Sequence, residues 1–205
     1  SDLVGAAEIG ARLVPLGDAP LAPGSAGPVQ LVLERPIAAA SGDRFVVRDT
    51  SARRTIGGGR LLDLRAPARK RRSPERLAQI AGHAIPDPTA AVAALLAAAP
   101  SGLDLDAFTR DRALAASEGE AIAAALDLVR IEADGGTLML SRSRWAEFGE
   151  AVAAALAAFH AGHPDLQGIG VDRLRSQVVP RLAGPVFRSA LTRLAEAGRV
   201  VRSGS

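Results

Sequence analysis

VRIEADGGTLMLS, residues 129–141, is a pair of short apolar runs closed around Asp134, Gly135 and Gly136. An Asp-Gly pair between two such runs is a strong hairpin signal, because the tight turn it makes needs positive φ at its centre. Upstream, the periodicity is helical: a helix is predicted over 89–98, another segment is LDLDAFTRD at 103–111, and a third helix is predicted over 118–128. Three helices followed by a two-stranded wing is the outline of a winged-helix module, a variant of helix-turn-helix in which the third helix or the wing meets nucleic acid. Downstream the pattern starts again. A helix over 144–161 leads to VDRLRSQV (171–178), PVFRSALTRLAEAG (185–198) and RVVRSGS (199–205), which stops where a second hairpin is expected to turn back.

Further upstream the character changes. ARLVPL (11–16), VQLVLERPI (29–37), RFVVRD (44–49) and RTIGGGRLLD (54–63) are β-type runs, separated by turn clusters such as APLAPGSAG (19–27) and AASGD (39–43). This spacing predicts an antiparallel barrel or sandwich. Between them and the helices lies APARKRRSPERLAQIAGHAIPD (66–87), a basic connector in which Ser73 and Pro74 start a short helix that runs through Ile80. The chain therefore reads as an α+β multidomain protein: a β-barrel unit at 1–66, a connector at 67–87, one winged helix at 88–142 and a second at 143–205.

Composition narrows the chemistry. A chain of 205 residues can bury a real core. It has no cysteine, so disulfides, cysteine-based zinc sites and thiol catalysis are excluded. No apolar run reaches the roughly 18 residues of a membrane span. The N-terminal residues lack the basic-then-apolar order of a signal peptide; cytoplasmic residence is the expectation. Of 25 basic residues, 24 are Arg and the only Lys is Lys70. That skew fits a coding bias and also fits phosphate recognition, which the planar guanidinium serves well. One Trp, five Phe and no Tyr make a base-stacking platform for single strands improbable.

The stretch LAPGSAGPVQLVLERPIAAASGDRFVVRDTSARRTIGGGRLL (21–62) resembles the third domain of elongation factors of the EF-Tu kind, most closely that of the selenocysteine-specific factors, SelB. The likeness lies in an ordered set: a Pro-Gly turn, a strand ending at Arg35-Pro36, GDRFVVRD, then RRTIGGGRLL. FHAGHPDLQGIGVDRLRS (159–176) resembles the winged-helix extension those factors carry after the barrel. The resemblance implies an EF-Tu domain III-like barrel followed by tandem winged helices, in a factor that delivers selenocysteyl-tRNA and recodes UGA on the ribosome. It implies a barrel that supports tRNA and the GTPase domain, and later winged helices that bind an mRNA recoding hairpin. GAAEIGARL (5–13) resembles the barrel's second strand region, so the first strand is expected to be missing, as are the later mRNA-gripping modules. The sequence holds no GxxxxGK[ST], so GTP and Mg are expected only in the family's GTPase domain, with no cofactor in this chain and no enzymatic activity of its own. A monomer that avoids membranes is expected. The rival readings are a winged-helix DNA-binding transcription regulator and a protein-interaction module.

No residue pattern suggests catalysis. Gly57-Gly58-Gly59 lacks the Lys and Ser or Thr of a phosphate loop and reads as a bend or bulge. Asp104 and Asp106 read as a helix cap and a first-turn acid. His160 and His163 stand at i and i+3 but lack a third ligand, so no metal is expected. The candidate RNA contacts are cations: Arg48, Arg53 and Arg54 on the barrel; Arg69, Lys70, Arg71 and Arg72 in the connector; Arg173, Arg175, Arg188, Arg193 and Arg199 in the second winged helix, with Arg202 beside them. Arg188 and Arg193 fall about 140° apart on a helix, so at most one of them leads.

Overall fold

The computed structural model describes residues 8–17, 20–49, 51, 54–99, 101–133, 136–166 and 168–201. In the N-terminal part, β1 (Ala11–Pro15) pairs antiparallel with β2 (Val29–Leu33), and β3 (Arg44–Arg48) with β4 (Thr55–Arg60). Among the described residues these are two separate ribbons, not a closed cylinder. The Gly-rich run is a strand carrying a register slip between Val47 and Arg48, which is a bulge. Phe45 lies opposite Gly59, and a Cβ there would sit 2.9 Å from the Phe45 ring. The glycine thus makes room for an aromatic lid on its own ladder, which explains it without any ligand.

Helix α1 (Pro74–His83) begins where Ser73 accepts a hydrogen bond from the Arg76 amide and Pro74 occupies the first turn. It runs past Ile80 to His83, one turn further than the sequence suggests, since Gly82 packs against Leu95 and is buried. Helices α2 (Pro88–Ala98), α3 (Leu105–Asp111) and α4 (Ala116–Ala125) follow. Asp87 and Asp104 cap the first two by accepting from Ala90 and Ala107 at 2.7 and 2.8 Å. At α4 the Glu118 carboxylate accepts from the Ala115 amide instead. The third helix stops at Ala125 rather than 128, because Asp127 turns left-handed at φ 48° and frees Leu128 to open a strand.

β5 (Leu128–Ala133) and β6 (Gly136–Ser141) pair antiparallel, with Ala133 opposite Gly136. The expected turn residues Asp134 and Gly135 lie outside the described residues. Helices α5 (Arg142–Gly162), α6 (Val171–Val178) and α7 (Gly184–Glu196) complete the fold. Residues 199–201 form no strand, and 202–205 are outside the described residues.

The hairpin organises both helical units. Leu128 and Met139 face a core made by Val92, Leu95, Leu105, Phe108 and Ile122. Val129, Ile131, Leu138 and Leu140, on the other face, pack into a second core with Phe148, Val152, Leu174, Phe187, Leu191 and Leu194. Phe148 meets Phe187 edge-on at 5.8 Å, the orientation that aromatic quadrupoles prefer. LML reads as an apolar run facing both cores, whereas β5 alternates, with Val129 and Ile131 on one face and Arg130, paired with Glu120, on the other.

The ribbons are tied to the helices by polar contacts. Arg65 makes a two-pronged bond to Asp111, both distances 2.9 Å, and the Ser41 amide donates to the Asp111 carbonyl at 2.6 Å. Arg76, buried on α1, pairs with Asp63 at 2.7 Å. Arg112 donates to the carbonyls of His83, Ile85 and Pro86, closing the exit of α1 while lying 4.8 Å over the Phe108 ring. The end of β4, α1 and α3 are therefore bound into one junction.

Candidate nucleic-acid interface

A winged helix usually presents its third helix or its wing to nucleic acid. In the first unit neither is fit for that. The base of the β5–β6 wing is held between the two cores, Met139 and Leu128 on one side and Val129, Ile131, Leu138 and Leu140 on the other. The exposed side of α4 carries Ser117, Glu118, Glu120 and alanines, with no cation. Glu120 pairs with Arg130, so the nearest positive charge is already used.

In the second unit most of the candidate arginines serve the fold. Arg175 donates to the carbonyls of Pro180 and Leu182, both at 3.1 Å, and so shapes the turn between α6 and α7. Arg193 donates to the Arg130 carbonyl at 2.6 Å and lies 5.9 Å over the Trp145 ring, which pins α7 to β5 and to α5. Arg199 pairs with Glu150. Arg173 sits on the edge of the unit, 5.7 Å over Phe159. Arg188 is exposed at the rim of an open hollow, where Glu132 and Ser189 are its polar neighbours. Arg188 is the one of the α7 pair left outward, as the 140° offset implies. His163 stacks on Phe159 at 4.7 Å and caps α5, and among the described residues no group of His, Cys, Asp or Glu is able to hold a metal ion.

The connector divides in the same way. Arg71 donates to the Ala68 carbonyl at 3.0 Å, folding the loop back on itself. Arg72 forks onto the Pro15 carbonyl at 3.2 and 2.8 Å and so docks the loop on the end of β1. Arg69 and Lys70 are exposed, with no hydrogen bond or salt bridge from their side chains among the described residues. On the β3–β4 ribbon, Arg48 and Arg54 are exposed near its turn end, and the Arg54 carbonyl accepts from the Asp49 amide at 2.9 Å. Arg53 lies outside the described residues. Arg44 stands directly opposite Arg60, an exposed like-charge pair that reading each run alone missed because the two are 16 positions apart in sequence. Arg181, exposed in the α6–α7 turn, was missed as well; only its place after Pro180, outside any helix, marks it.

Residues 3–68 match the family model of the β-barrel domain of the selenocysteine-specific elongation factor, and residues 153–205 match that of the SelB winged helix. The two matched segments come from one kind of factor and stand in the order the ribbons and the second helical unit occupy here. The chain belongs to the SelB family. It is 29% identical over 173 residues to the selenocysteine-specific elongation factor of Escherichia coli (strain K12), covering 83% of this chain and 27% of that protein. The chain thus spans about a quarter of the length of that curated SelB. No helix among the described residues is long and apolar enough to cross a membrane.

Proposed function

We propose that this part of a SelB factor is the arm that joins tRNA delivery to mRNA reading: its barrel braces selenocysteyl-tRNA and the GTPase domain, and its two winged helices hold the mRNA-binding end at a fixed distance. The observation that carries this reading is the buried wing. A hairpin shared by two cores makes the two helical units one stiff body, and it buries the base of the element a winged helix normally offers to nucleic acid. Stiffness without a reading head is the property of a spacer.

On this reading GTP and Mg act in the factor's GTPase domain, outside this chain, and the work takes place on the ribosome in the cytoplasm. The barrel's contribution to tRNA is carried by Arg48 and Arg54, which crowd positive charge at the turn end of β3–β4.

The test is binding of this chain, across a salt series, to selenocysteine tRNA, to the recoding hairpin and to an unrelated duplex of equal length. The tRNA is expected to bind at least about tenfold more tightly than the duplex, a difference of about 1.4 kcal/mol, with the hairpin no better than the duplex. Preference for the hairpin would show that these winged helices read mRNA themselves and would overturn the spacer assignment.

A further inference from the structure

The turn between α6 and α7 is held so that one cation faces outward. Arg175 donates to the carbonyls of Pro180 and Leu182, both at 3.1 Å, and the Leu182 amide donates to the Val179 carbonyl at 3.0 Å. Both neighbours of Arg181 are thereby fixed, and Leu182 packs into the second core, which leaves the Arg181 side chain exposed between them. Helix α7 begins three residues on, at Gly184, a distance the chain spans in no more than about 11 Å.

Arg188, one turn into α7, comes back to the same place. A Cβ on Gly184 would lie 3.5 Å from its Nη1, so the guanidinium covers the helix start that Arg181 precedes. Neither arginine makes a hydrogen bond or salt bridge from its side chain among the described residues. Glu132, on the wing of the first unit, lines the hollow at whose rim Arg188 stands. The rest of the outward side of α7 is poorly equipped to read bases. Thr192 and Ala195 follow Arg188 on its stripe, and the Thr192 hydroxyl donates to the Arg188 carbonyl at 3.1 Å. A helix that reads a duplex carries Arg, Asn or Gln side chains to the base edges, whereas cations with no such groups behind them contact phosphates, which hold no sequence information.

We propose that Arg181 and Arg188 form a clamp on the phosphodiester backbone of duplex RNA, so that the second winged helix grips RNA through its helix-turn-helix without reading it. An acidic protein is the poorer occupant, because a protein interface wants aromatic anchors at its centre. The aromatic side chains of this unit are turned inward: Phe148 and Phe187 are buried in the core, and Trp145 stacks on Phe148 at 5.6 Å. The proposal rests on the reading that this chain works among RNAs and adds a point of contact to the spacer; it is independent of which RNA the barrel prefers.

The experiment is fluorescence anisotropy of the full chain with an RNA duplex unrelated to tRNA or the recoding hairpin, between about 50 and 200 mM salt. R181Q/R188Q is compared with R12Q/R110Q, which removes equal charge from exposed arginines of β1 and α3. The first variant is expected to bind at least about fivefold more weakly at the lowest salt, with the slope of log K against log salt shallower by about one for each phosphate released. The second is expected to stay within about twofold of the parent. E132Q, which removes the carboxylate lining the hollow, is expected to tighten binding about twofold, and E8Q, an equal change on the exposed barrel, to leave it unchanged. The glutamate pair keeps the test open should R181Q/R188Q melt early. Equal weakening by the two arginine variants, or equal tightening by the two glutamate variants, would show general charge attraction and overturn the proposal. No binding by the parent at the lowest salt would overturn it too, as would a polyglutamate probe that binds as tightly as RNA at equal charge and is lost with the same arginines. A preference of the parent for the recoding hairpin would end the spacer reading and leave this contrast standing, so the two fail separately.

Discussion

Ile131 and Met139 belong to the two strands of one hairpin, yet their side chains are buried in different cores, Ile131 among Phe148, Val152 and Phe187, and Met139 among Leu95, Leu105 and Phe108. Alternation along a strand puts neighbours on opposite faces, and here each face has its own three helices. The two helical units consequently cannot melt independently. Ile131→Ala and Met139→Ala are each expected to cost about 2–5 kcal/mol, and each variant is expected to unfold over residues 88–201 in a single urea transition. Two resolved transitions, one per unit, would contradict the shared-core account.

Gly102 joins α2 to α3 at φ +94°, and a Cβ on it would fall 2.7 Å from the Met139 carbonyl. That carbonyl already accepts from the Leu103 amide at 2.9 Å, so the backbone has no room to retreat. Gly102→Ala combines a disfavoured backbone conformation with a collision against β6, and a loss of roughly 2 kcal/mol or more is expected. Chemical denaturation of the variant measures it. Gly17→Ala, at a glycine with nothing within 4 Å of the added Cβ, is the matched comparison and is expected to lose less than half as much.

The legible parts of this chain were those that local chemistry decides. Ser73 and Asp104 announced helix starts because a short oxygen-bearing side chain before a helix has one obvious use, and the structure puts each at a cap. The hairpin was visible from its turn residues. Its burial on both faces was not, since VRI and LML fix only that apolar side chains must be covered, and not by what. The cations were the least legible. Arg48, Arg69, Arg175 and Arg193 look alike in sequence, and only tertiary placement shows that Arg175 holds a turn, Arg193 caps a strand carbonyl and Arg69 stays outside.

His83 ends α1 half-buried beside Phe108, at a ring separation of 6.5 Å. Burial is the main reason its pKa is lowered from the ordinary histidine value; Asp63 pulls it up, while Arg76 and Arg112 push it down. A histidine whose folded pKa lies below its unfolded one takes up protons on unfolding, so the folded state loses stability as pH falls through the unfolded value near about 6.5. The chain is expected to melt at lower temperature at pH 5.5 than at pH 7.5, and part of that difference is expected to vanish in His83→Gln. An unchanged pH dependence in the variant would place the titrating group elsewhere.

Arg76 and Asp63 form the buried ion pair of the junction, their side chains 8% and 11% exposed and 2.7 Å apart. Removing one partner leaves the other charge out of water without compensation, whereas replacing both by apolar groups of similar volume removes the desolvation cost together with the attraction. Arg76→Ala is therefore expected to cost about 3–5 kcal/mol, and the double change Arg76→Met with Asp63→Leu is expected to recover most of it. The same variants separate stability from orientation. Arg65 and Asp111 still link the end of β4 to α3 in the double variant, so the distance between labels on β2 and α7 is expected to hold at its parental value by single-molecule energy transfer. A broadened distance distribution with recovered stability would mean that the buried pair, rather than the Arg65 fork, sets how the ribbons meet the helices.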